Sequence, residues 1–342
     1  MNRRAFARLG AVTLGGSALG APMQVPGFPR RPPRQALVAD RARLAARMTR
    51  LADFGANADG GIDRVAFSDA NIEALAWAAE LLQEAGFDTH MDLAGNLIGR
   101  KAGSESELGP LMFGSHIDSV PGGGNFDGQV GSMGALEAAM VLSDAGYTTR
   151  HPLEVAIFSN EEGGKTGSRA LAGEVEAFEL DIETASGYTI GEGLRRLGGD
   201  PDRLPEARRA QGSIAAFLEL HVEQGAVLDA DGIDIGVVEG IVGIKRWNVT
   251  VTGMTNHAGT TPMDHRRDAM VGAARLVDAV YRIARETPGR QVATVGRLEA
   301  EPGASNVIPG VVRMTLEIRD LTMEGIDGLR ERIVAASGSM AE

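Results

Sequence analysis

The chain contains no cysteine. Thiol nucleophiles, thiolate metal sites and disulfide bonds are therefore excluded, and any metal ion must be bound by histidine, aspartate or glutamate. Histidine is also scarce, and its six positions are His90, His116, His151, His221, His257 and His265. A histidine-containing metal site must be drawn from this short set.

The chain also lacks an excess of basic residues. Its formal net charge is −12 at pH 7, which argues against nucleic acid or an anionic membrane as a partner, because both require a basic surface. Beyond the N-terminal region, no segment approaches the ~18 uncharged apolar residues that a membrane helix needs. With 43% hydrophobic and 23% charged residues in 342, the composition is that of a globular protein large enough for two domains. A small molecule is the expected partner.

Residues 1–33 have the pattern of a twin-arginine export signal followed by a proline-rich linker. Two adjacent arginines precede Phe6, and a weakly apolar stretch that is too short to span a bilayer covers residues 9–21. Ala18 and Gly20 are small enough for a cleavage site. This pattern predicts a periplasmic location, and the alternative is an untargeted basic tail on a cytoplasmic protein.

The stretch over residues 114–128 has the residue types of a metal site. The apolar residues 111–113 predict a buried strand that ends near His116 and Asp118. Since residues two apart on a strand share a face, Asp118 can orient the His116 ring while the other ring nitrogen binds a metal. The glycines that follow turn the chain and return Asp127 to the same point, where its two oxygens can bridge two cations. The alternative is a set of polar turn residues at the surface.

Two further apolar runs end in residues of the same chemical types. A predicted strand over residues 153–158 is followed by Glu161 and Glu162, where one carboxylate can bind metal while its neighbour acts as a base. An apolar run that includes Phe217 leads to His221. Because ligands bind beyond the carboxyl ends of strands in α/β sheets, we expect three strands to bring these groups to one edge. The alternatives are a solvated acid pair and a core histidine.

The periodicities predict an α/β protein: a mixed-sheet catalytic domain over residues 34–231, with helices on both faces, and a βαββα module over residues 232–342. In the catalytic domain we predict helices over 68–86 and 133–142 and strands over 87–91, 96–100, 111–113 and 153–158. In the module we predict strands over 246–252, 292–299 and 311–318 and helices over 267–285 and 325–336. A sheet of the second kind usually closes with one more strand, so we expect the chain to be truncated at its C-terminus.

Together these stretches resemble the carbamoylase/hydantoinase branch of the dinuclear metal amidases, which includes N-carbamoyl-L-amino-acid hydrolases, allantoate amidohydrolases and β-ureidopropionases. The resemblance extends from about residue 67 to the end of the chain. The segments that carry it are residues 114–121 (GSHIDSVP), 126–128 (FDG), 160–163 (NEEG), 219–225 (ELHVEQG), 257–263 (HAGTTPM), 266–268 (RRD) and 306–310 (NVIPG) with Arg319. The ELHVEQG segment is the most specific, because the wider aminoacylase and carboxypeptidase relatives generally place an acid where this branch places His221.

The resemblance implies an amidohydrolase with two divalent metal ions, zinc or manganese, although cobalt and nickel suit the same ligands. His116 and His221 would bind one ion, Asp127 would bridge the two, and Glu162 would bind the second. Glu161 would be the general base while a bridging hydroxide attacks a small N-carbamoyl or ureido acid.

The resemblance also implies substrate-binding roles for Gln224, Asn306 and Arg319. His257 would stabilise the oxyanion, and in relatives this histidine completes the site of a neighbouring subunit in a homodimer. Alternate residues of the strand over 311–319 are apolar, which leaves Arg319 on the polar face, where a guanidinium can bind a carboxylate. The alternatives are a surface salt bridge for Arg319 and a turn role for Asn306.

The chain departs from the family pattern in one respect. The second metal of the family normally receives another histidine from a C-terminal segment, and no histidine follows His265 here. We therefore expect this chain to bind one ion more firmly than the other and to hydrolyse poorly. The alternatives to a carbamoyl hydrolase are an aminoacylase or exopeptidase on the same scaffold, or a truncated, catalytically weak relative that dimerises.

Overall fold

The computed structural model describes residues 37–338, so the predicted export signal and linker lie outside the described residues. Residue contacts divide the chain into two compact units, the first ending at Gly225 and the second beginning at Ala226. Among residues 37–338, no helix is both long and apolar enough to cross a membrane.

The first unit combines helices with one five-stranded sheet. Its α-helices are α1 (Arg41–Asp53), α2 (Asp69–Glu84), α3 (Gln129–Asp144), α4 (Thr166–Ala172) and α5 (Ile190–Arg196). Its strands are β1 (Asp88–Met91), β2 (Leu97–Lys101), β3 (Leu111–His116), β4 (Leu153–Phe158) and β5 (Ala216–Leu218). Short 3-10 helices cover Ala177–Asp181 and Pro201–Ala207.

The strand order β1-β2-β4-β3-β5 makes this a mixed sheet. Strand β3 lies between β4 and β5 and is parallel to both, whereas β1, β2 and β4 are joined by antiparallel pairs. Because β3, β4 and β5 run in the same direction, their carboxyl ends meet at one edge. The predicted delivery of three sets of polar residues to one edge therefore follows from the topology.

Both faces of the sheet are covered, as the sequence predicts. All six residues of β4 are buried, and its alternate side chains enter two separate apolar clusters. Helices α2 and α3 contribute Leu75, Leu82, Met133 and Leu136 to the larger cluster, which also contains Val155 and Ile157. The smaller cluster, on the other face, contains Ile98, Met112, Ala156, Phe158 and Leu171 of α4. The mixed α/β architecture is confirmed.

Helix α1 is not among the predicted elements, and a buried ion-pair cluster explains how it is held. Glu137 of α3 is only 1% exposed. Its carboxylate accepts hydrogen bonds from Arg43 Nε (2.7 Å) and Arg47 Nη1 (3.1 Å), both on α1. A buried carboxylate requires such partners. These contacts join residues 90 or more positions apart, so no local pattern reveals them.

The second unit has the predicted βαββα order with short additions. Its strands are β6 (Gly243–Thr252), β7 (Asn256–His257), β8 (Val292–Glu301), β9 (Val307–Ile308) and β10 (Val311–Asp320). Its helices are α6 (Val227–Ala230), α7 (Ala269–Glu286) and α8 (Met323–Gly338), with a 3-10 turn at Met263–His265. Strand β10 lies between β6 and β8 and is antiparallel to both.

The core of the second unit follows the predicted alternation along β10. Val312, Met314, Leu316 and Ile318 are buried, and they pack in one cluster with Leu276 and Val280 of α7 and Leu329 and Ile333 of α8. The residues between them in β10 are exposed or only partly buried. Arg319 therefore lies on the polar face of the strand, as predicted.

Candidate metal centre

Strand β3 ends at His116, whose ring is almost fully buried at 1% exposure. The ring nitrogen Nδ1 lies 3.1 Å from the carbonyl oxygen of Asp118 and 3.5 Å from its carboxylate Oδ1. An imidazole held through Nδ1 presents Nε2 to a metal, and a carboxylate behind the ring increases its basicity. Asp118 therefore orients His116 from two residues beyond the end of β3, and its shorter contact is made by the backbone carbonyl, whereas the sequence predicts two side chains on one face of the strand.

His221 and Asp127 bring two further ligand atoms to His116. His221 Nε2 lies 3.2 Å from Asp127 Oδ1, and its Nδ1 lies 2.9 Å from the carbonyl oxygen of Val222. The other oxygen of Asp127 accepts a hydrogen bond of 2.5 Å from Gln224 Nε2. Ligand atoms of His116, Asp127 and His221 all lie within 4.8 Å of one another. Two imidazoles and a carboxylate form the three-ligand set typical of a catalytic zinc site.

Two glycines of helix α3 make this convergence possible. Gly128, at the N-cap of α3, has φ +73°, and a Cβ there would lie 2.2 Å from His116 Nε2. A Cβ on Gly131 would lie 2.2 Å from the carbonyl oxygen of Leu220. Any side chain at Gly128 would therefore overlap the space that the His116 ring fills. At Gly131, a side chain would displace the backbone that delivers His221.

The loop that follows β4 carries Glu161 and Glu162 to the same edge. Glu161 Oε2 lies 3.7 Å from His116 Nε2, and its Oε1 lies 3.4 Å from Lys165 Nζ. The backbone N–H of Glu162 donates to Asp118 Oδ2 at 3.1 Å. Asp118 thus contacts both the end of β3 and the loop that carries Glu161 and Glu162. Among residues 37–338, the close three-ligand group does not include Glu162.

The electrostatics of the site fit a bound cation. Burial raises the pKa of Glu162, and the nearby charges of Asp127, Glu161 and Asp118 raise it further against the opposing effect of His116. Burial disfavours protonated His116. The hydrogen bond and charge of Asp118, together with the charges of Glu161 and Glu162, outweigh the effect of burial and raise the pKa of His116 to about 9. Crowded carboxylates that favour positive charge in this way are suited to a divalent metal ion.

The second unit brings two of the predicted substrate residues together and separates the third. His257 on β7 lies opposite Val307 of β9, and the N–H of Ala258 donates to the carbonyl oxygen of Asn306 at 3.0 Å. The β7–β9 pair forms a two-stranded sheet of its own, and the hydrogen bond from Gly253 N to Gly310 O lies between it and the β6–β10 ladder.

Arg319 lies near the opposite end of that ladder. It is the ninth residue of the ten in β10, which starts at Val311 beside β9. At about 3.4 Å per residue, the eight steps from Val311 to Arg319 already span ~27 Å. Asn306 therefore precedes one end of β10, whereas Arg319 lies near its other end. The Arg319 Nε donates to Glu317 Oε1 at 2.6 Å.

Arg64, which belongs to none of the sequence motifs, supports the site. Its side chain is fully buried. Its Nε donates to the carbonyl oxygen of Ile117 (2.6 Å), and its Nη1 donates to those of Leu51 and Phe54, both at 2.7 Å. The first contact holds the backbone directly after His116. No sequence signal identifies it, because its partner is 53 residues away.

Comparisons with known proteins agree with this site. The family model described as Peptidase family M20/M25/M40 matches residues 112–307. The chain is 40% identical over 305 residues to an N-carbamoyl-L-amino acid amidohydrolase of Geobacillus stearothermophilus, covering 88% of this chain and 74% of the relative. It is 33% identical over 293 residues to an allantoate amidohydrolase of Bacillus subtilis (strain 168), covering 83% of this chain and 70% of the relative.

A solved structure extends the likeness to the fold. A hydantoinase/carbamoylase family amidase from Burkholderia ambifaria superposes with a TM-score of 0.79 at 34% identity, covering 89% of this chain and 75% of that one. The chain therefore belongs to peptidase family M20/M25/M40, and within it resembles the carbamoylase-type amidohydrolases. This confirms the resemblance inferred from the motifs. The family implies divalent metal ions, and His116, Asp127 and His221 are suited to hold one.

We expect Gly128→Ala to weaken Mn²⁺ binding by about 10- to 100-fold or more, since the new Cβ displaces a ligand ring. Gly146→Ala is the matched control, because Gly146 also has a positive φ, of +59°, but a Cβ there meets no atom within 4 Å. Both substitutions carry a left-handed backbone cost of about 1–2 kcal/mol. Equal metal affinities of the two variants, measured by calorimetry, would contradict the packing of His116 against Gly128.

Metal binding should release a proton at neutral pH. With the pKa of His116 raised to about 9, the ring is protonated at pH 7 and must lose its proton to bind a cation. The apparent Mn²⁺ affinity should therefore rise by about tenfold per pH unit from pH 7 and level off above pH 9.

Calorimetric titrations at pH 7 in two buffers of different protonation enthalpy measure the released proton directly. The variant Asp118→Asn removes the strongest cause that raises the pKa of His116. Metal binding to this variant should therefore release fewer protons than metal binding to the wild-type protein. If the wild-type protein releases no proton at pH 7, the ring is neutral before the metal binds and the electrostatic account is wrong.

Proposed function

We propose that this protein is a metal-dependent amidohydrolase that cleaves a non-peptide C–N bond of a small N-carbamoyl or ureido acid. The observation that supports it most is the convergence of His116, Asp127 and His221 beside Glu161, in a chain similar to named carbamoyl and allantoate amidohydrolases. The names of these relatives do not favour an aminoacylase or exopeptidase.

The ligands would divide between two cations. His116 and His221 would hold the first ion, Glu162 would hold the second, and the carboxylate of Asp127 could serve both. When bound, divalent ions polarise the substrate carbonyl and lower the pKa of water. Imidazole and carboxylate ligands suit zinc and manganese, and also cobalt and nickel.

Glu161 acts as the general base. Its Oε2 is near His116 Nε2 at 3.7 Å, and its side chain is 25% exposed, so it remains accessible to a water molecule and a substrate. It accepts a proton from the attacking water and passes that proton to the leaving nitrogen. Gln224 orients Asp127 through its hydrogen bond and lies where it can also contact substrate.

The binding groups of the second unit serve a charged substrate. Arg319 binds the α-carboxylate, because a guanidinium can make two parallel hydrogen bonds to it. His257 and Asn306 contact the carbonyl that becomes the oxyanion; the Nδ1 of His257 accepts from Gly259 N at 3.1 Å, which leaves Nε2 for the substrate.

These two sets of residues support a homodimer as the active form. Because β10 extends ~27 Å from Val311, which follows Asn306 closely, to Arg319, we infer that one substrate contacts both sets when they come from two copies. Each copy then supplies Arg319 to one site and His257 with Asn306 to the other.

The metal-loaded protein should hydrolyse N-carbamoyl-L-amino acids slowly, with release of ammonia, and should act much less on N-acetyl-amino acids and dipeptides. Glu161→Gln should retain the metal yet lower kcat by about 10²–10⁴-fold, since an amide cannot transfer the proton. Glu162→Gln should instead reduce the number of ions bound, as measured by elemental analysis. A loss of only a few-fold in Glu161→Gln, with metal retained, would remove Glu161 as the base.

Mixing variants tests the dimer. His257→Ala and Arg319→Ala should each be inactive alone, whereas random heterodimers carry one intact site out of two, so co-expression should restore about a quarter of the wild-type activity. If His257 and Arg319 of the same copy served one site, no intact site would form and the mixture would stay inactive. Each variant mixed with itself is the control.

A further inference from the structure

The loop over residues 159–167 carries both functional acids and is conformationally demanding. Asn160 and Lys165 adopt φ values of +48° and +58°, a left-handed backbone that residues other than glycine enter only when surrounding contacts hold them there. Two backbone hydrogen bonds close the loop, from Gly167 N to Ser159 O at 2.9 Å and from Thr166 N to Asn160 O at 3.2 Å. Both bonds lie within the loop, so its position in the first unit depends on further contacts.

Those contacts come from a buried amide in a different part of the chain. Asn96, just before β2, is 0% exposed. Its Oδ1 accepts from the backbone N–H of Ser159 at 2.9 Å, and its Nδ2 donates to the carbonyl oxygen of Gly167 at 3.2 Å. One side chain thus bonds to both ends of the acid loop. Ser159 Oγ adds a second link by donating to Ala94 O at 2.6 Å.

Asn96 is itself held in place by Asp92. Asp92 Oδ2 accepts from Asn96 Nδ2 at 2.9 Å, while Oδ1 accepts the backbone N–H groups of Ala94 and Asn96 at 2.9 and 2.8 Å. The amide orientation is determined, because Ser159 N can only donate, whereas Gly167 O and the Asp92 carboxylate accept.

Only asparagine satisfies this environment. Aspartate has no donor for Gly167 O and would place a second carboxylate beside Asp92. The space is also filled, since a Cβ on Gly167 would lie 1.9 Å from Asn96 Oδ1 and 2.6 Å from Ser159 N. A longer side chain at position 96 therefore has no room.

We propose that Asn96 is a positioning residue for the acid loop, joining Ser159 to Gly167 so that Glu161 and Glu162 stay at the metal centre. The catalytic part of this role rests on the proposed function, while the control of loop conformation does not. Asn96 touches neither metal nor substrate and acts through the loop.

The test uses two variants that disturb the same bridge from opposite sides. Asn96→Asp removes the donor with little change of volume, and Gly167→Ala introduces a clash without altering the amide. Both should lower kcat for an N-carbamoyl amino acid by about 10- to 100-fold at saturating Mn²⁺, with KM changed less than about threefold because substrate contacts remain. Hydrogen exchange in peptides covering residues 159–167 should become faster.

Asn71→Ala is the matched control. Asn71 is another buried asparagine of the first unit, 3% exposed, and its Oδ1 accepts from Phe67 N at 3.1 Å without contacting the acid loop. This variant should lose comparable stability but keep wild-type kcat and loop exchange at temperatures where it is folded. An equal kcat loss in Asn71→Ala would show that general destabilisation, not positioning, is responsible.

The loop measurements separate this inference from the proposed function. Wild-type exchange over residues 159–167 in both bridge variants would overturn the positioning role. Faster exchange with unchanged kcat would overturn its catalytic part. If the wild-type protein turned over no N-carbamoyl substrate, the proposed function would fail, yet hydrogen exchange over residues 159–167 in the two bridge variants would still decide whether Asn96 positions the loop.

Discussion

A single buried carboxylate, Asp118, holds the candidate metal centre together. It is 1% exposed, and its two oxygens serve two different loops: Oδ1 lies behind the His116 ring, and Oδ2 accepts the N–H of Glu162. A buried charge of this kind needs a compensating one. Arg64 supplies it nearby, because its pKa, lowered by burial to about 10 with Asp118 opposing the change, still leaves it a cation at neutral pH.

The acids around this carboxylate explain why the site favours positive charge. Asp127, Glu161 and Glu162 converge on His116 from the turn before α3 and from the loop after β4. In a protein interior their mutual repulsion is costly. Burial raises the pKa of Glu162 and the neighbouring acids raise it further, while burial lowers the pKa of His116 but Asp118, Glu161 and Glu162 raise it by more. A divalent ion between these carboxylates would reduce the same repulsion without a proton. The crowding of the acids therefore explains both the charge balance of the site and its proposed chemistry.

The second unit illustrates how geometry constrains a proposal that sequence motifs leave open. The resemblance implies substrate roles for His257, Asn306 and Arg319 and a neighbouring subunit for His257, but it does not say which copy supplies the other two. Asn306 precedes the Val311 end of β10 and is bonded to the segment after His257, whereas Arg319 lies near the other end of that strand. This separation along an extended strand is the reason for including a second copy of the chain in the proposed function.

Much of the first-unit sheet and of its metal centre could be predicted from local patterns. His116, Asp127, Glu161 and His221 follow apolar runs or glycine turns, and strand periodicity places such residues at strand ends. The alternation along β10 likewise shows in the sequence that Arg319 lies on the polar face, because side chains on a strand alternate strictly between its faces.

The tertiary structure alone decided which distant residues hold those groups in place. Helix α1 is held by the bonds of its arginines to Glu137, the His116 turn is held by Arg64, and the acid loop is bridged by Asn96. Each of these polar side chains lies more than 50 residues from its partner, and in isolation each reads as an ordinary surface residue. Burial of the partner groups makes hydrogen bonds to them necessary, and burial is a property of the folded chain that no short stretch of sequence contains.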